Sequence, residues 1–166
     1  ACIINMANEF RQDPVSGHWV LISTDRGNRP HASAQSANPF YQPKETCPFE
    51  DPQVSSGQPL LVYNNGERVV WEGDFHGAWT TQAIKNKYPA LHAGLCGPMR
   101  EHGPFKIADG NGFHEVVITR DHDRSFAQFT TEETVEILKV YKERYVAISQ
   151  NECGDYIQII HNHGPA

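Results

Sequence analysis

The stretch "TTEETVEILKVYKERYVAIS", residues 130–149, has the clearest helical pattern in this sequence. Thr130 and Glu133 have the spacing of a capping box, in which each side chain bonds the backbone N–H of the other residue. The pattern predicts a helix that buries one stripe of apolar side chains against the rest of the fold. At 3.6-residue spacing, that stripe consists of Leu138, Tyr141, Tyr145 and Ile148.

Short apolar runs bounded by turn residues surround this helix and predict strands. One of them, "LLVYNNGERVVWEG" (60–73), predicts a β-hairpin because Asn65-Gly66 is a strong signal for a tight turn. Strands grouped around one long helix favour an α+β fold, a mainly antiparallel sheet with the helix packed on one face. We therefore expect a single domain over residues 1–166. The other predicted strands are "GHWVLIST" (17–24), "AWTTQAIKN" (78–86), "FHEVVIT" (113–119) and "GDYIQIIHNHG" (154–164).

The composition narrows the class of protein. Basic residues number 14 and acidic residues 20, a formal net charge of −6. This balance argues against a sequence-independent grip on nucleic acid, which needs a basic face to release counterions. No apolar run approaches the roughly 20 residues that span a bilayer. The N-terminus "ACIINMANEF" lacks the features of a signal peptide, so we expect a cytoplasmic protein without membrane contact.

The cysteines show no framework spacing, so in a reducing compartment we expect thiols or metal ligands rather than disulfides. They are Cys2, Cys47, Cys96 and Cys153. Cys47 lies in "TCPFEDP", and Glu50 follows where a C-x-x-C zinc motif would place its second cysteine. His114, at the start of a predicted strand, is a third candidate ligand. Taken singly, a lone thiol such as Cys47 is usually structural or incidental, and a histidine at a strand mouth such as His114 is more often structural.

Two arginines, Arg26 and Arg29, flank a turn after the first predicted strand. They are either solvated side chains or a pair of forks for phosphate, which guanidinium groups bind through two hydrogen bonds. "NKYPAL" (86–91) places an amide, a base and an aromatic ring at a strand end. Near the last residues, "HNH" puts Asn162 on the opposite strand face from the histidines at 161 and 163.

Taken in order, these segments resemble the N-terminal half of the galactose-1-phosphate uridylyltransferase family and its nucleotidyltransferase relatives, within the histidine-triad superfamily. The resemblance spans nearly the whole chain. It rests on "FRQDPVSGHWVLISTDRGNRP" (10–30), "CPFE" (47–50), "NKYPAL" (86–91), "GFHEVVI" (112–118) followed by His122, and "IIHNHGPA" (159–166).

The resemblance implies a fold that is half of a histidine-triad-like pair and a site for a nucleotide sugar such as UDP-glucose. Arg26, Arg29 and Asn162 match positions near the nucleotide phosphates, and Asn86 opens the uridine-contacting segment with Lys87 and Tyr88 beside it. A homodimer is common in the family.

The same resemblance matches Cys47 and His114 to zinc ligands, with Glu50 in place of a cysteine. It also implies that the nucleophile belongs to a His-Pro-His stretch beyond Ala166, so that this chain alone is inactive.

Three functions stay open from the sequence. The first is UMP transfer between UDP-glucose and a hexose 1-phosphate such as galactose 1-phosphate, through a covalent histidine intermediate. The second is a related enzyme that acts on another nucleotide sugar, such as an ADP-sugar phosphorylase. The third is a non-catalytic binding or dimerisation module that holds a metal or a nucleotide.

Overall fold

A computed structural model describes residues 8–24 and 43–162. These residues form two compact units. The first unit contains residues 8–24, 88–114 and 148–156, and the second contains residues 43–87, 115–147 and 157–162. The prediction of an α+β protein with antiparallel sheets and one long helix is confirmed, but the described strands form two sheets rather than one.

The first unit is built on a four-stranded antiparallel sheet in the order β2-β1-β7-β6. Of these strands, only β2 was predicted from the sequence. The polar sequences EFRQ and REH of β1 and β6 carry little strand signal. The strands are β1 (Glu9–Gln12), β2 (Trp19–Ile22), β6 (Arg100–His102) and β7 (Phe105–Asp109).

A disulfide in the first unit joins Cys96 to Cys153, which are 57 residues apart in the chain. The prediction that the cysteines are thiols or ligands is therefore wrong for this pair. Their Cα atoms lie 5.6 Å apart, within the range that a disulfide spans, whereas the sequence spacing gave no sign of the pairing. Cys47 is a free thiol.

The second unit is built on a four-stranded antiparallel sheet in the order β4-β3-β5-β8. The predicted hairpin forms its edge, and its turn residues Asn65 and Gly66 both have positive φ, 51° and 84°. Two positive φ values in succession are what a two-residue type I′ turn requires. The elements are α1 (Pro52–Ser56), β3 (Leu61–Asn64), β4 (Glu67–Arg68), β5 (Thr81–Lys85), β8 (Glu115–Thr119) and α2 (Thr131–Ser149).

Both faces of this second sheet are covered. Val62, Ile84 and Ile118 pack with Phe75 and Trp79 on one face. Leu61, Tyr63 and Ala83 pack with Val140 of α2 on the other. The strand β5, in the middle of the sheet, is therefore buried on both sides. This packing fixes the point at which the chain leaves the sheet after Lys85.

Helix α2 begins as predicted, but the face that packs on the sheet is not the predicted apolar stripe. Thr130 and Glu133 form the capping box, since each backbone N–H bonds the other residue's side chain. Leu138 and Tyr145, however, are 52% and 50% exposed. The face toward the sheet carries Ile137, Val140 and the buried acid Glu136. Hydrophobic periodicity assigns a glutamate to solvent, so the sequence could not show this rotation.

The segment after α2 also differs from its prediction. No strand is assigned in residues 157–162, and Ile159 and Ile160 are 55% and 68% exposed. A strand needs a neighbour with which to exchange backbone hydrogen bonds, and β8 pairs with β5 alone among the described strands. The His161 ring lies edge-on to Phe126, with centroids 5.2 Å apart. In the described ranges, no helix is both long enough and apolar enough to cross a membrane.

Candidate functional site

The predicted phosphate-binding residues are described only in part. Arg26 and Arg29 lie outside the described residues, so their predicted contacts with phosphate stay predictions. Asn162 is exposed at the end of the described chain. Asn86, Lys87 and Tyr88, which are predicted to contact the base, all lie within the described residues.

Asn86, Lys87 and Tyr88 follow directly after the buried strand β5, as the sequence predicts. Asn86 and Tyr88 are half-buried and Lys87 is exposed. Pro89 follows, which fixes its own φ and disfavours a helical conformation at Tyr88. We call residues 86–89 the NKYP loop. Its first residue, Asn86, follows directly on the strand β5 of the second unit.

His114 contacts the residue that follows the NKYP loop. Its Nδ1 accepts a hydrogen bond from the backbone N–H of Ala90 at 2.8 Å. Ala90 is buried, and its carbonyl accepts a second bond from the Asn8 side-chain amide at 3.0 Å. His114 therefore holds the backbone of the first unit, which agrees with the structural reading of this histidine, although the sequence did not show Ala90 as its partner.

The predicted metal ligands Cys47 and Glu50 lie in a tight turn of the second unit. The backbone N–H of Glu50 donates to the carbonyl of Cys47 at 3.2 Å, and the Cys47 thiol is half-buried. The Glu50 carboxylate lies 3.1 Å from His122 Nδ1 and 3.7 Å from an Arg120 nitrogen. The structure thus brings Glu50 together with His122, whereas His114 belongs to the other unit.

His122 is the residue that the candidate ligand set missed. Its side chain is only 11% exposed, although it lies just beyond the end of β8. The signal was present in the sequence, since a histidine follows "GFHEVVI" at this position. In residues 8–24 and 43–162, no three Cys, His, Asp or Glu side chains come together as a metal-binding group.

A small open pocket of about 220 Å³ adjoins this cluster in the second unit. Its wall combines two carboxylates, Glu50 and Asp51, with the buried rings of Phe75 and Trp79. The Arg120 guanidinium lies over the Trp79 ring at 5.2 Å. The remaining lining residues are Pro52, Gln53, His76 and Gly77.

A group with a raised pKa lies away from these residues, at the contact between helix and sheet. Tyr63 of β3 donates its hydroxyl to Glu143 of α2. This bond, together with burial, raises the pKa of Tyr63 to about 12. A phenol bonded in this way stays protonated and joins the helix to the sheet, so it has a structural role.

The architecture and the residues above define an α+β protein with a strand-end loop suited to ligand contact. The family model for the galactose-1-phosphate uridyl transferase N-terminal domain matches residues 3–166. The chain belongs to this family.

Two relatives are consistent with this assignment. The chain is 33% identical over 165 residues to an ADP-glucose phosphorylase from Arabidopsis thaliana, covering 96% of this chain and 44% of that protein. It is 25% identical over 160 residues to a galactose-1-phosphate uridylyltransferase from Thermotoga maritima, covering 94% of this chain and 41% of that protein. The chain spans less than half the length of both relatives. No solved structure shows a significant match.

Proposed function

We propose that this chain is the nucleotide-sugar-binding part of a nucleotidyltransferase. The family match over residues 3–166 carries the proposal, because it covers every segment that the sequence analysis singled out. In the proposed reaction, a histidine imidazole attacks the α-phosphorus of UDP-glucose and expels glucose 1-phosphate. A hexose 1-phosphate, such as galactose 1-phosphate, then takes the nucleotidyl group from the histidine.

The residues of this chain would bind and orient the nucleotide sugar rather than attack it. Arg26, Arg29 and Asn162 are proposed to screen the charge of the phosphate groups in each transition state. Asn86, Lys87 and Tyr88 are proposed to contact the base and ribose. The proposed nucleophile is the second histidine of a His-Pro-His stretch that these residues do not contain.

A second candidate is the phosphorolysis of an ADP-sugar. One observation favours it: identity to the ADP-glucose phosphorylase is 33%, against 25% to the uridylyltransferase. Both reactions use a nucleoside diphosphate sugar and differ in the base and in the acceptor. The same predicted binding residues serve both.

Calorimetry with UDP-glucose and ADP-glucose tests the proposal and separates these two candidates. We expect binding of one of them, and Arg26→Ala or Arg29→Ala to weaken it by about tenfold each, because each removes a charge-assisted bond to phosphate. Arg68→Ala is the matched control, since Arg68 pairs with Glu143 at the helix–sheet contact. Tighter binding of ADP-glucose would favour the phosphorylase. Equal binding by the wild type and both variants would instead support a non-catalytic module.

Zinc is a separate part of the proposal. Cys47 and Glu50 supply a thiolate and a carboxylate in one turn, with His114 as the third ligand predicted from sequence and His122 as the one nearest Glu50. We expect one zinc per chain after zinc loading and dialysis, and none in Cys47→Ser. His114→Ala and His122→Ala decide between the two histidines. A wild-type chain without stoichiometric zinc would end this part of the proposal.

The family resemblance also supports a cytoplasmic homodimer as the working form. Sedimentation of the chain at two concentrations measures its association directly, and a monomer at both would contradict the dimer. A histidine-triad relation is proposed on the same ground, and an experimental structure of the longer protein would test it.

A further inference from the structure

Two side chains hold the peptide groups on either side of Ala90. His114 Nδ1 accepts the N–H of Ala90 at 2.8 Å, and Asn8 Nδ2 donates to its carbonyl at 3.0 Å. Asn8 is 3% exposed and Ala90 is 7% exposed, so water does not compete freely for these bonds. A buried peptide group that loses such a partner costs about 1–3 kcal/mol. Both contacts therefore constrain the backbone strongly at this point.

Two residues further on, the backbone itself is paired. The N–H of His92 donates to the Gly110 carbonyl at 3.1 Å, and the His92 carbonyl accepts from Gly112 N–H at 2.8 Å. A side chain at Gly110 would bring its Cβ within 2.6 Å of the Asn8 backbone, so this close approach depends on glycine. Residues 90 and 92 thus have all four backbone polar groups bound within the first unit.

The other end of the NKYP loop is fixed by the residue next to His114. Lys85, the last residue of β5, pairs with Glu115, the first residue of β8. The Glu115 carboxylate accepts two hydrogen bonds from Arg144 of α2, at 2.7 and 2.8 Å. Within the second unit, Glu115 therefore pairs with the residue that precedes the loop. Only residues 86–89 lie between these two attachments.

The chemistry of the His114 contact is specific. An imidazole nitrogen that accepts a hydrogen bond carries no proton, so the neutral ring is protonated at Nε2. A side chain here must offer an acceptor at the position of Nδ1. Asparagine places its amide oxygen near that position, whereas glutamine reaches toward that of Nε2. The two amides therefore distinguish the backbone contact from any role of the outer ring nitrogen.

We propose that His114 is a positioning residue for nucleotide-sugar binding, which fixes the NKYP loop through the peptide N–H of Ala90, with Asn8 as its partner on the carbonyl. This inference rests on the proposed function, in which the loop contacts the nucleotide. It gives His114 a role through Nδ1 that is independent of zinc. A loop held in its bound conformation before the ligand arrives loses less entropy on binding.

Calorimetry with the nucleotide sugar that the wild type binds tests this role on the full chain in the presence of a chelator. We expect His114→Gln to weaken binding about tenfold, which corresponds to the loss of one buried hydrogen bond. His114→Asn restores the acceptor and should stay within about threefold of the wild type. His102→Gln, at an exposed histidine of β6 in the first unit, is the matched control and should bind as the wild type does.

Hydrogen exchange of backbone amides supplies a readout that does not depend on ligand. The Ala90 amide should be protected in the wild type and in His114→Asn and should exchange faster in His114→Gln. The His92 amide, which bonds a backbone carbonyl, should stay protected in all three and shows that each variant is folded. If His114→Gln unfolds the first unit, the wild-type Ala90 amide still reports the contact, and rapid exchange there would overturn it.

The outcomes separate this inference from the proposed function. Wild-type binding that is unchanged in His114→Gln would overturn the positioning role and leave the proposed function standing. A wild type that binds neither UDP-glucose nor ADP-glucose would overturn the proposed function and the positioning role with it. Weakened binding in both His114→Gln and His114→Asn, with the Ala90 amide protected in both, would contradict the Nδ1 contact as its cause.

Discussion

Replacement of Glu136 by alanine is expected to lower the free energy of unfolding by about 3–4 kcal/mol. Glu136 of α2 is 5% exposed and accepts hydrogen bonds from the Gly66 backbone N–H and from the hydroxyls of Thr80 and Thr81. The Thr80 hydroxyl also accepts the N–H of Asn65. The Gly66 amide therefore binds this carboxylate directly, and the Asn65 amide is joined to it through the Thr80 hydroxyl. Alanine would leave the Gly66 amide and the buried Thr81 hydroxyl without this acceptor, whereas the Thr80 hydroxyl would keep the Tyr63 carbonyl at 3.2 Å.

Urea unfolding followed by circular dichroism measures this effect, with Glu132→Ala as the matched control. Glu132 is one turn earlier in the same helix and is exposed, so we expect it to cost less than about 1 kcal/mol, mainly through the helix dipole. Glu136→Gln keeps the shape of the side chain, but its amide N–H₂ would face one of these hydrogen-bond donors. We therefore expect a loss in the free energy of unfolding between those of Glu136→Ala and Glu132→Ala.

A double-mutant cycle shows whether the hydrogen bonds carry the effect. Thr81→Val should destabilise the wild type but cost clearly less in the Glu136→Ala background, because its acceptor is already gone. Losses for Glu136→Ala and Glu132→Ala of the same size would show that the buried carboxylate does not anchor the helix. Additive losses for Glu136 and Thr81 would contradict the contact between them.

Local signals in the sequence were sufficient for several elements of the second unit. Asn65-Gly66 gave the hairpin, Thr130 with Glu133 gave the helix start, and the β-branched run "HEVVIT" gave β8. Each of these elements is specified within a few residues of itself. The orientation of α2 that turns Glu136 inward is not specified locally. Glu136 is buried because it accepts hydrogen bonds from donors that lie 55 to 70 residues earlier in the chain.

The same distinction applies to the candidate site. The NKYP loop was predictable because a strand end and a proline mark it locally. The partners of the two histidines were not predictable. His114 bonds Ala90, which is 24 residues away in the chain, and His122 contacts Glu50, which precedes the hairpin in the chain. A strand-end histidine at 114 and another at 122 look alike in sequence. Only tertiary contacts show that one binds a backbone amide and the other a carboxylate.

The disulfide leads to the second large expected effect, which concerns the first unit. Cys96 lies in an exposed loop, and Cys153 lies in the tight turn after α2, where the Gly154 N–H bonds the Asn151 carbonyl. The bond closes a loop of 57 residues. In the chain-entropy account, closing a loop of that length lowers the conformational entropy of the unfolded chain and so stabilises the fold by about 4 kcal/mol. Measured stabilisation by disulfides is usually about 2–4 kcal/mol.

We therefore expect a dithiol reductant to lower the free energy of unfolding of the wild type by about 2–4 kcal/mol. Each reduced disulfide takes up two electrons and two protons and yields two thiols, so thiol titration under denaturing conditions should gain two groups per chain. Urea unfolding with and without the reductant gives the energy. Cys47→Ser, at a cysteine that is a free thiol, should respond to reductant as the wild type does.

The double variant Cys96→Ser/Cys153→Ser separates the bond from general effects of the reductant. Without reductant it should unfold at the same urea concentration as the reduced wild type, and adding reductant should change nothing further. A double variant that is as stable as the oxidised wild type would show that the bond does not stabilise the fold. In a reducing cytoplasm the dithiol form would predominate, so the first unit would work there without this crosslink, held by its sheet and by the bonds around Ala90.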